Sequence, residues 1–397
     1  MGARQLASII INNYNYGRFL KDAINSALSQ SYANTEVVVV DDGSTDNSRE
    51  IIAGYGDRIR PVLKENGGQP SALNAGFPAT RGQVIIILDS DDMLVPSAMA
   101  EAVKRFNHPN IVKVHWPLWI VDERGRNTGQ MLPGVILPEG NQRDVVIRDG
   151  PVACVSPPTS GNAWSRRFLE KVLPMPEPQF KQHADSYLLT LAPIFGDIKM
   201  IAQPQAYYRI HGGNDFACEP SNEKNRRRLK DYDHCCEALS GHLAAMGINT
   251  DPEVWKQRDA QYEWMQRQDQ ANEETTALTP PGSTLILVDE GNFADVCGSN
   301  EVFPGRHTVP FLEKEGQYWG APPDDATAIR ELERLRHSGA SFMVFAWPAF
   351  WWLDYYSGLH RYLGKKYRCI LRNEYLVVFD LLENCVESRH VVPEFYP

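Results

Sequence analysis

No stretch of the chain approaches the roughly 18–20 uninterrupted apolar residues that a bilayer-spanning helix needs. The richest run, Met343 to Leu353, is broken by Pro348 and ends at Asp354. The segment MGARQLASIIINNYNYG leads into a strand-like run without the charged, apolar and small-residue succession of a secretory signal. A cytoplasmic protein is therefore expected, with a peripheral seat on the inner face of a membrane left open. Cationic excess is missing too: 40 Lys plus Arg stand against 50 Asp plus Glu, a formal charge of -10. That balance argues against nucleic acid as a partner, though not against a phosphorylated ligand held by a local cation. The seven cysteines, Cys154, Cys218, Cys235, Cys236, Cys297, Cys369 and Cys385, include no C-x-x-C pair and read as reduced thiols. His234-Cys235-Cys236 invites a metal reading, but no second ligand pair stands at suitable spacing, so ordinary helical residues are the simpler account. Internal repeats and low-complexity tracts are absent as well.

What is present is enough for two or three units: 397 residues, 43% hydrophobic and 23% charged. Ala7 to Ile11, Val37 to Val40 and Val84 to Leu88 are apolar runs without polar alternation, the habit of strands buried on both faces of a parallel sheet. Leu20, Ile24, Ala27 and Leu28 recur between them at helical spacing, and Asn47-Ser48-Arg49-Glu50 before Ile51 resembles a capped helix start. This rhythm predicts an α/β fold with its ligand sites at the carboxyl ends of the strands. Pro and Gly punctuate Pro133 to Pro158 and Pro174 to Pro178, as loops over a pocket do. From about Cys218 to Thr275 the chain turns polar and helical, and Asn225-Arg226-Arg227-Arg228 reads as a solvated helix face. Leu278-Thr279-Pro280-Pro281-Gly282 reads as a linker. Strands at Thr284 to Val288, Ser341 to Ala346, Tyr367 to Leu371 and Tyr375 to Leu381, with a helix from Asp325 to Arg336, make a second, smaller α/β unit. The expected domains are thus 1–217, a helical connecting segment 218–277, and 278–397.

The most telling feature is Asp89-Ser90-Asp91-Asp92, directly after a buried strand. Carboxylates packed at a strand end repel one another unless something positive neutralises them. A divalent cation bridging to phosphate oxygens does so with only one or two protein carboxylates. A solvent-exposed acidic turn is the plainer alternative for such a triplet on its own. Asp41-Asp42-Gly43-Ser44 follows a second buried strand, where an Asp can accept hydrogen bonds from a nucleobase or ribose and Gly43 lets the backbone turn closely. Asn12-Asn13-Tyr14-Asn15 follows the first strand, and Tyr14 could stack on a base. Polar clusters at successive strand ends converge on one pocket.

The stretches IIINNYNYGRFLKDAINSALSQSY, VVVVDDGSTDNS, NGGQPSALNAG and GQVIIILDSDD, from Ser8 to about Val103, resemble the nucleotide-binding half of glycosyltransferase family 2. Fainter similarity runs through Gly161-Asn162-Ala163, His183-Ala184-Asp185 and Tyr208-Arg209-Ile210-His211. The resemblance implies a GT-A fold, a Rossmann-like nucleotide-sugar-binding domain with a mostly parallel central sheet. It implies an inverting, metal-dependent enzyme using a UDP-, GDP- or dTDP-type nucleotide-sugar donor with Mg²⁺ or Mn²⁺. Carried over position by position, Asp42 would contact the base, with Asn12 and Tyr14 in the same pocket. Asp89 would sit near the donor ribose and sugar, with Ser90 beside it, and Asn74, on the helix after Gly67 and Gly68, would approach from the other side. Asp91 and His211 would hold the metal, with Asp92 supporting them, and Asp185 would be the catalytic base. Many relatives carry Glu-Asp where this chain has Ala184-Asp185, so one residue carries that assignment. Asp185 as a mere helix cap and His211 as a packed histidine are the plainer alternatives.

The acceptor would be a glycan or lipid-linked hydroxyl, in bacterial surface-polysaccharide or glycoconjugate assembly. A nucleotide-sugar-binding scaffold without turnover, acting through its C-terminal unit, is the alternative. A sugar nucleotidyltransferase would need a Gly-rich basic loop where Asn12-Asn13-Tyr14-Asn15 stands. In the C-terminal unit, Ala346 to Tyr356 is dense in aromatics. It could bind a sugar chain or protein partner through flat faces, or pack as core beneath a small sheet. Asp289 follows a strand as a ligand residue might, but no Gly-rich phosphate fingerprint follows it.

Overall fold

The structure is a computed structural model that describes residues 5–181, 183–212, 214, 221–293, 302–314, 317–318 and 320–384. Cys218, Cys297 and Cys385 lie outside these residues. The chain divides into two compact units, Met1–Asn214 with Lys230–Ala260, and Asp215–Leu229 with Gln261–Pro397. The 218–277 stretch is therefore shared between the units rather than standing apart. Its middle is tied into the first unit by side chains: His183 pairs with Asp231 at 2.7 Å, and the Trp255 indole donates to the Ile147 carbonyl at 2.9 Å.

The first unit begins β1 (Ala7–Asn13), α1 (Gly17–Leu28), β2 (Thr35–Asp42), α2 (Ser48–Ala53), β3 (Arg60–Lys64), α3 (Gln69–Gly76) and β4 (Val84–Asp89). Then come β5 (Met93–Leu94), α4 (Ala98–Arg105), β6 (Ile111–His115), β7 (Leu118–Val121), β8 (Asn127–Leu132), α5 (Arg143–Asp149) and β9 (Asn162–Ser165). It closes with α6 (Arg166–Val172), α7 (Ala184–Phe195), β10 (Asp197–Met200), β11 (Ala206–Arg209), most of α8 (Ser221–Ala245), and α9 (Pro252–Arg258). Every residue of β1 is buried, because β-branched side chains on both faces meet helices. Phe19, Leu20, Ala23, Ile24 and Ala27 of α1 cover the sheet with one apolar stripe. The sheet has seven strands in the order β10-β6-β9-β4-β1-β2-β3. β1 runs parallel to both β2 and β4, which sets Asn12 level with Val40 and Asp89. The apolar runs thus end together, and their polar tails emerge on one edge. β9 alone runs against its neighbours, wedged between β4 and β6. One capping expectation is corrected: Asn47 makes no side-chain cap bond at α2, and Asp46 instead accepts from the Ser48 N–H at 3.0 Å.

A second sheet, β5-β11-β7-β8, is built from short strands. β11 pairs with β5 just beyond the acidic triplet, Tyr207 opposite Met93, so the chain from Tyr208 to His211 is laid alongside that turn. In the second unit, α10 (Ala260–Leu278) precedes β12 (Thr284–Val288), β13 (His307–Pro310), β14 (Glu313–Lys314) and β15 (Gln317–Tyr318). There follow α11 (Asp325–His337), β16 (Phe342–Ala346), α12 (Trp351–Tyr355), α13 (Ser357–Lys366), β17 (Tyr367–Arg372) and β18 (Leu376–Asn384). Its sheet order is β13-β12-β16-β18-β17, with β12 parallel to both neighbours and β18 antiparallel to β16. Most of the aromatic run turns inward here, with Trp352, Leu353 and Tyr356 buried in its core.

Candidate active site

Three strand tails supply the floor. At the end of β1, Asn12 is buried with neither atom of its amide hydrogen-bonded, while Asn13 donates to the Asp41 carboxylate at 3.0 Å and to the Ser44 hydroxyl at 3.1 Å. A buried, unpartnered amide costs about 1–3 kcal/mol, a cost that a bound polar group would remove. Tyr14 stands 46% exposed beside it, and Asn15 takes a left-handed backbone (φ 58°) that lets its side chain accept from the Thr45 N–H at 2.7 Å. At the end of β2, Asp41 is fully buried. Burial alone would raise its pKa, but the Arg49 guanidinium, Ser44 and Asn13 outweigh that and hold it below the usual range. Asp42 accepts from Lys64 Nζ at 2.6 Å and from the N–H groups of Gly67 and Gly68, the latter at 2.7 Å. Its lone pairs are thereby filled from the protein itself, so in this structure it fastens the 64–68 turn. Gly68 needs its positive φ of 89°, and a Cβ there would stand 2.8 Å from the Lys181 carbonyl oxygen.

Beyond β4 lies the acidic turn. The Asp89 N–H donates to Ser160 Oγ at 3.1 Å, and its carboxylate accepts from Gln69 Nε2 at 3.2 Å. The other end of Gln69 accepts the N–H of Ala184, the first residue of α7, at 3.1 Å. One amide therefore joins Asp89 to the helix turn that carries Asp185. Withdrawal from water, then the charges of Asp91 and Asp185, push the Asp89 carboxyl up to about 8. Burial, then Asp91 and Asp89, raise Asp92 well above the carboxylate range. Tyr208 is likewise raised, by burial and then by Asp92, Asp91, Asp89 and Asp185 in turn. These four carboxylates therefore act on one small volume. Ser90 is buried among them. Asp185 lies on the first turn of α7, where its Oδ1 accepts from the Ser186 N–H at 2.9 Å.

Arg209 braces the acidic turn from behind. It is 2% exposed and donates to the Asp91 carbonyl, the Glu123 carbonyl and the Asp22 carboxylate, each at 2.9 Å, while its backbone N–H donates to Asp92 at 3.0 Å. Its guanidinium also lies 4.7 Å from the Phe19 ring centre. Replacing Arg209 with methionine should destabilise the first unit by about 1–3 kcal/mol, since it leaves the Asp91 and Glu123 carbonyls without their donor, while the Asp22 carboxylate is half exposed and can turn to water. Urea denaturation followed by far-UV circular dichroism measures this, and a loss below about 1 kcal/mol would refute the role.

The buried His211 sets Nε2 3.1 Å from Asp91 Oδ2 and Nδ1 3.3 Å from an Arg18 nitrogen, with its ring against Tyr16 and Phe19. One carboxylate oxygen and one imidazole nitrogen thus face each other. Among the described residues no group of three His, Cys, Asp or Glu forms a cation cage. An open two-ligand site suits Mg²⁺ or Mn²⁺ when phosphate oxygens and water complete the shell, so the residues present fit the group.

Asn74, like Asp42, is already bonded to protein groups. Its amide bonds the Met175 carbonyl and N–H at 3.0 and 2.9 Å and the Glu177 carboxylate at 3.1 Å, so it pins that loop instead of facing the strand ends. Gln69 and Arg209 stood inside recognisable motifs but carried no spacing signal of their own. Lys113 gave no signal at all: fully buried on β6, it donates to Ser156 at 2.8 Å, and burial pushes its pKa down to about 7, against the pull of Cys154 and Asp185. His234-Cys235-Cys236 sits on α8 with both thiols buried and, chiefly for that reason, pushed up to about 12.

A mostly parallel sheet whose strand tails gather an acidic turn, a histidine partner and a helix carboxylate is the arrangement expected of a glycosyltransferase of the GT-A fold. The model of "Glycosyl transferase family 2" matches residues 8–163. An uncharacterised glycosyltransferase of Nostoc sp. is 36% identical over 247 residues, 60% of this chain and 76% of that protein. The chain belongs to glycosyltransferase family 2. An uncharacterised glycosyltransferase of Rickettsia conorii is 40% identical over 139 residues, which are 34% of this chain but 23% of that longer protein. Among solved structures, S. aureus TarS in complex with UDP aligns over 69% of this chain and 81% of its own at 17% identity, with a TM-score of 0.45.

Proposed function

We propose that this chain transfers a sugar from a nucleoside-diphosphate sugar to a hydroxyl acceptor by a single, inverting displacement that depends on Mg²⁺ or Mn²⁺. The observation that carries this reading is the mutual charging of Asp89, Asp91, Asp92 and Asp185 around the Asp91–His211 pair. Such repulsion is relieved by a cation and its diphosphate. Tyr14 stacks on the base, and the unpartnered Asn12 amide bonds the nucleoside. Lys64, at 22% side-chain exposure the movable partner of Asp42, can yield that carboxylate to a base N–H. Asp89 receives the ribose and sugar hydroxyls, while Asp91 and His211 hold the cation, which when bound offsets charge on the departing diphosphate. Asp185 takes the acceptor proton as its oxygen attacks the anomeric carbon, with both reactants held in line. The acceptor is a glycan or lipid-linked hydroxyl of bacterial surface-polysaccharide or glycoconjugate assembly. Among the described residues no helix is long and apolar enough to cross a membrane.

Calorimetric titration with UDP-, GDP- and dTDP-sugars, in Mn²⁺, Mg²⁺ or EDTA, tests the site. One donor should bind with a metal and lose at least tenfold in affinity with EDTA or in Asp91→Ala. If no donor binds with either metal, the reading fails.

A further inference from the structure

The second unit has a topological switch point of its own. β12 lies between β13 and β16, parallel to both. The chain leaves β12 toward β13 on one side and leaves β16 toward β17 on the other. Open α/β sheets take ligands in the crevice between two such strand ends. Here the β12 end bears Asp289, Glu290, Gly291 and Asn292, and the β16 end leads into α12. Asp289 spends its carboxylate within its own turn, accepting from Gly291 N at 3.1 Å and Phe293 N at 2.7 Å.

Glu290 behaves differently. With Asn15 of the donor site, it is one of two non-glycine residues in the left-handed region among those described (φ 58°). One oxygen of its carboxylate accepts both indole N–H groups of α12, Trp351 at 2.9 Å and Trp352 at 3.2 Å. The other oxygen has no hydrogen bond among the described residues, and Glu290 itself is exposed. Trp352 is core, but Trp351 is 42% exposed and Tyr355 69% exposed, one helical turn apart with ring centres separated by 5.8 Å. An aromatic pair left in water beside an anchored carboxylate is a composite surface. Flat ring faces cover the C–H faces of a pyranose, and a fixed carboxylate accepts from its hydroxyls. The charged residues that stand nearest the two strand ends, Asp289 and Glu290 after β12 and Asp354 on α12, are acidic, with Arg306 and Arg361 further along the same connections. That disfavours a nucleotide, a phosphate or an acidic polymer and leaves an uncharged sugar.

We propose that Trp351, Tyr355 and Glu290 form a second site, which binds a neutral glycan. Only the role of that glycan as acceptor or product rests on the transferase reading; the binding does not. The test is calorimetric titration of the full chain in EDTA, without donor, so that failure at the donor site cannot disturb it. The probes are chitohexaose, cellohexaose and maltohexaose, with a hyaluronan hexasaccharide as the acidic control. At least one neutral hexasaccharide should bind below 1 mM. Trp351→Ala and Tyr355→Ala should each weaken it at least tenfold, Trp351→Phe should keep part of the affinity, and Glu290→Gln should weaken it threefold or more. Tyr355 is mostly exposed, so its variant remains informative if Trp351→Ala does not fold. No neutral glycan binding at 5 mM, unchanged affinity in Tyr355→Ala, or preference for hyaluronan would each overturn the proposal.

Discussion

Asp185→Asn is expected to lower kcat for sugar transfer by about 10²–10⁴-fold, the usual reach of a positioned general base, while donor affinity stays within about threefold. The assignment follows from what the other carboxylates of the cluster are already doing. Asp92 is sealed behind the turn and bonded to the Arg209 N–H, Asp91 faces His211, and Asp89 is tethered by Gln69. Asp185 is bound through one oxygen to the adjacent Ser186 N–H, on a helix turn that the Gln69 amide fixes against Asp89. Asparagine keeps that acceptor and the local shape but cannot take a proton. Steady-state transfer kinetics together with donor calorimetry separate the two effects. Activity retained within tenfold would remove Asp185 from the reaction. A parallel fall in donor affinity would make it a binding residue instead.

Asp89→Asn should raise the melting temperature of the metal-free protein by several degrees, about 2–4 °C per kcal/mol for a unit of this size, while cutting kcat/KM at least 100-fold. The sign follows from linkage. Asp89 titrates near 8 in the folded chain and near 3.8 when unfolded, so the native state binds the extra proton between those values. Its favourable contribution is complete below about pH 4 and is lost as pH rises toward 8. Asparagine escapes that loss and still accepts from Gln69. The variant should therefore melt with the wild type near pH 4 and progressively above it up to pH 8. Scanning calorimetry in EDTA at pH 4.5, 6 and 8 follows the gap. A gap that stays flat or closes with pH would show that Asp89 carries no such strain.

The donor half was readable because its strands are buried on both faces, so Ile9 to Ile11 and Val84 to Leu88 are apolar without interruption, and the polar residues after them mark each strand end. In the second unit the run Thr284 to Val288 marked β12 for the same reason. β5, β7 and β11 could not be read, since segments of two to four residues have no measurable period. Nor could the reversed direction of β9: the apolar pattern of NAWS says that it is buried, not which way it runs. Local sequence also hides partnerships that span the chain. Arg209 reaches Asp22 across 187 positions and Gln69 reaches Ala184 across 115. Asp42 and Asn74 show the converse limit, for a motif can place a residue near a ligand without revealing that protein groups already occupy it.

The reversal of β9 has a consequence for how such enzymes diversify. Because β9 runs down from the edge where β4 runs up, the segment before it, ending in Thr159, Ser160 and Gly161, is delivered to Asp89 from outside the strand-helix succession. The donor-facing tails of β1, β2 and β4 are complete by residue 92, so a change of length in the 133–161 stretch leaves the registers of those three strands in place. Recombination at its two ends would then graft a new acceptor preference onto an inherited donor preference, leaving the two specificities free to evolve on separate schedules.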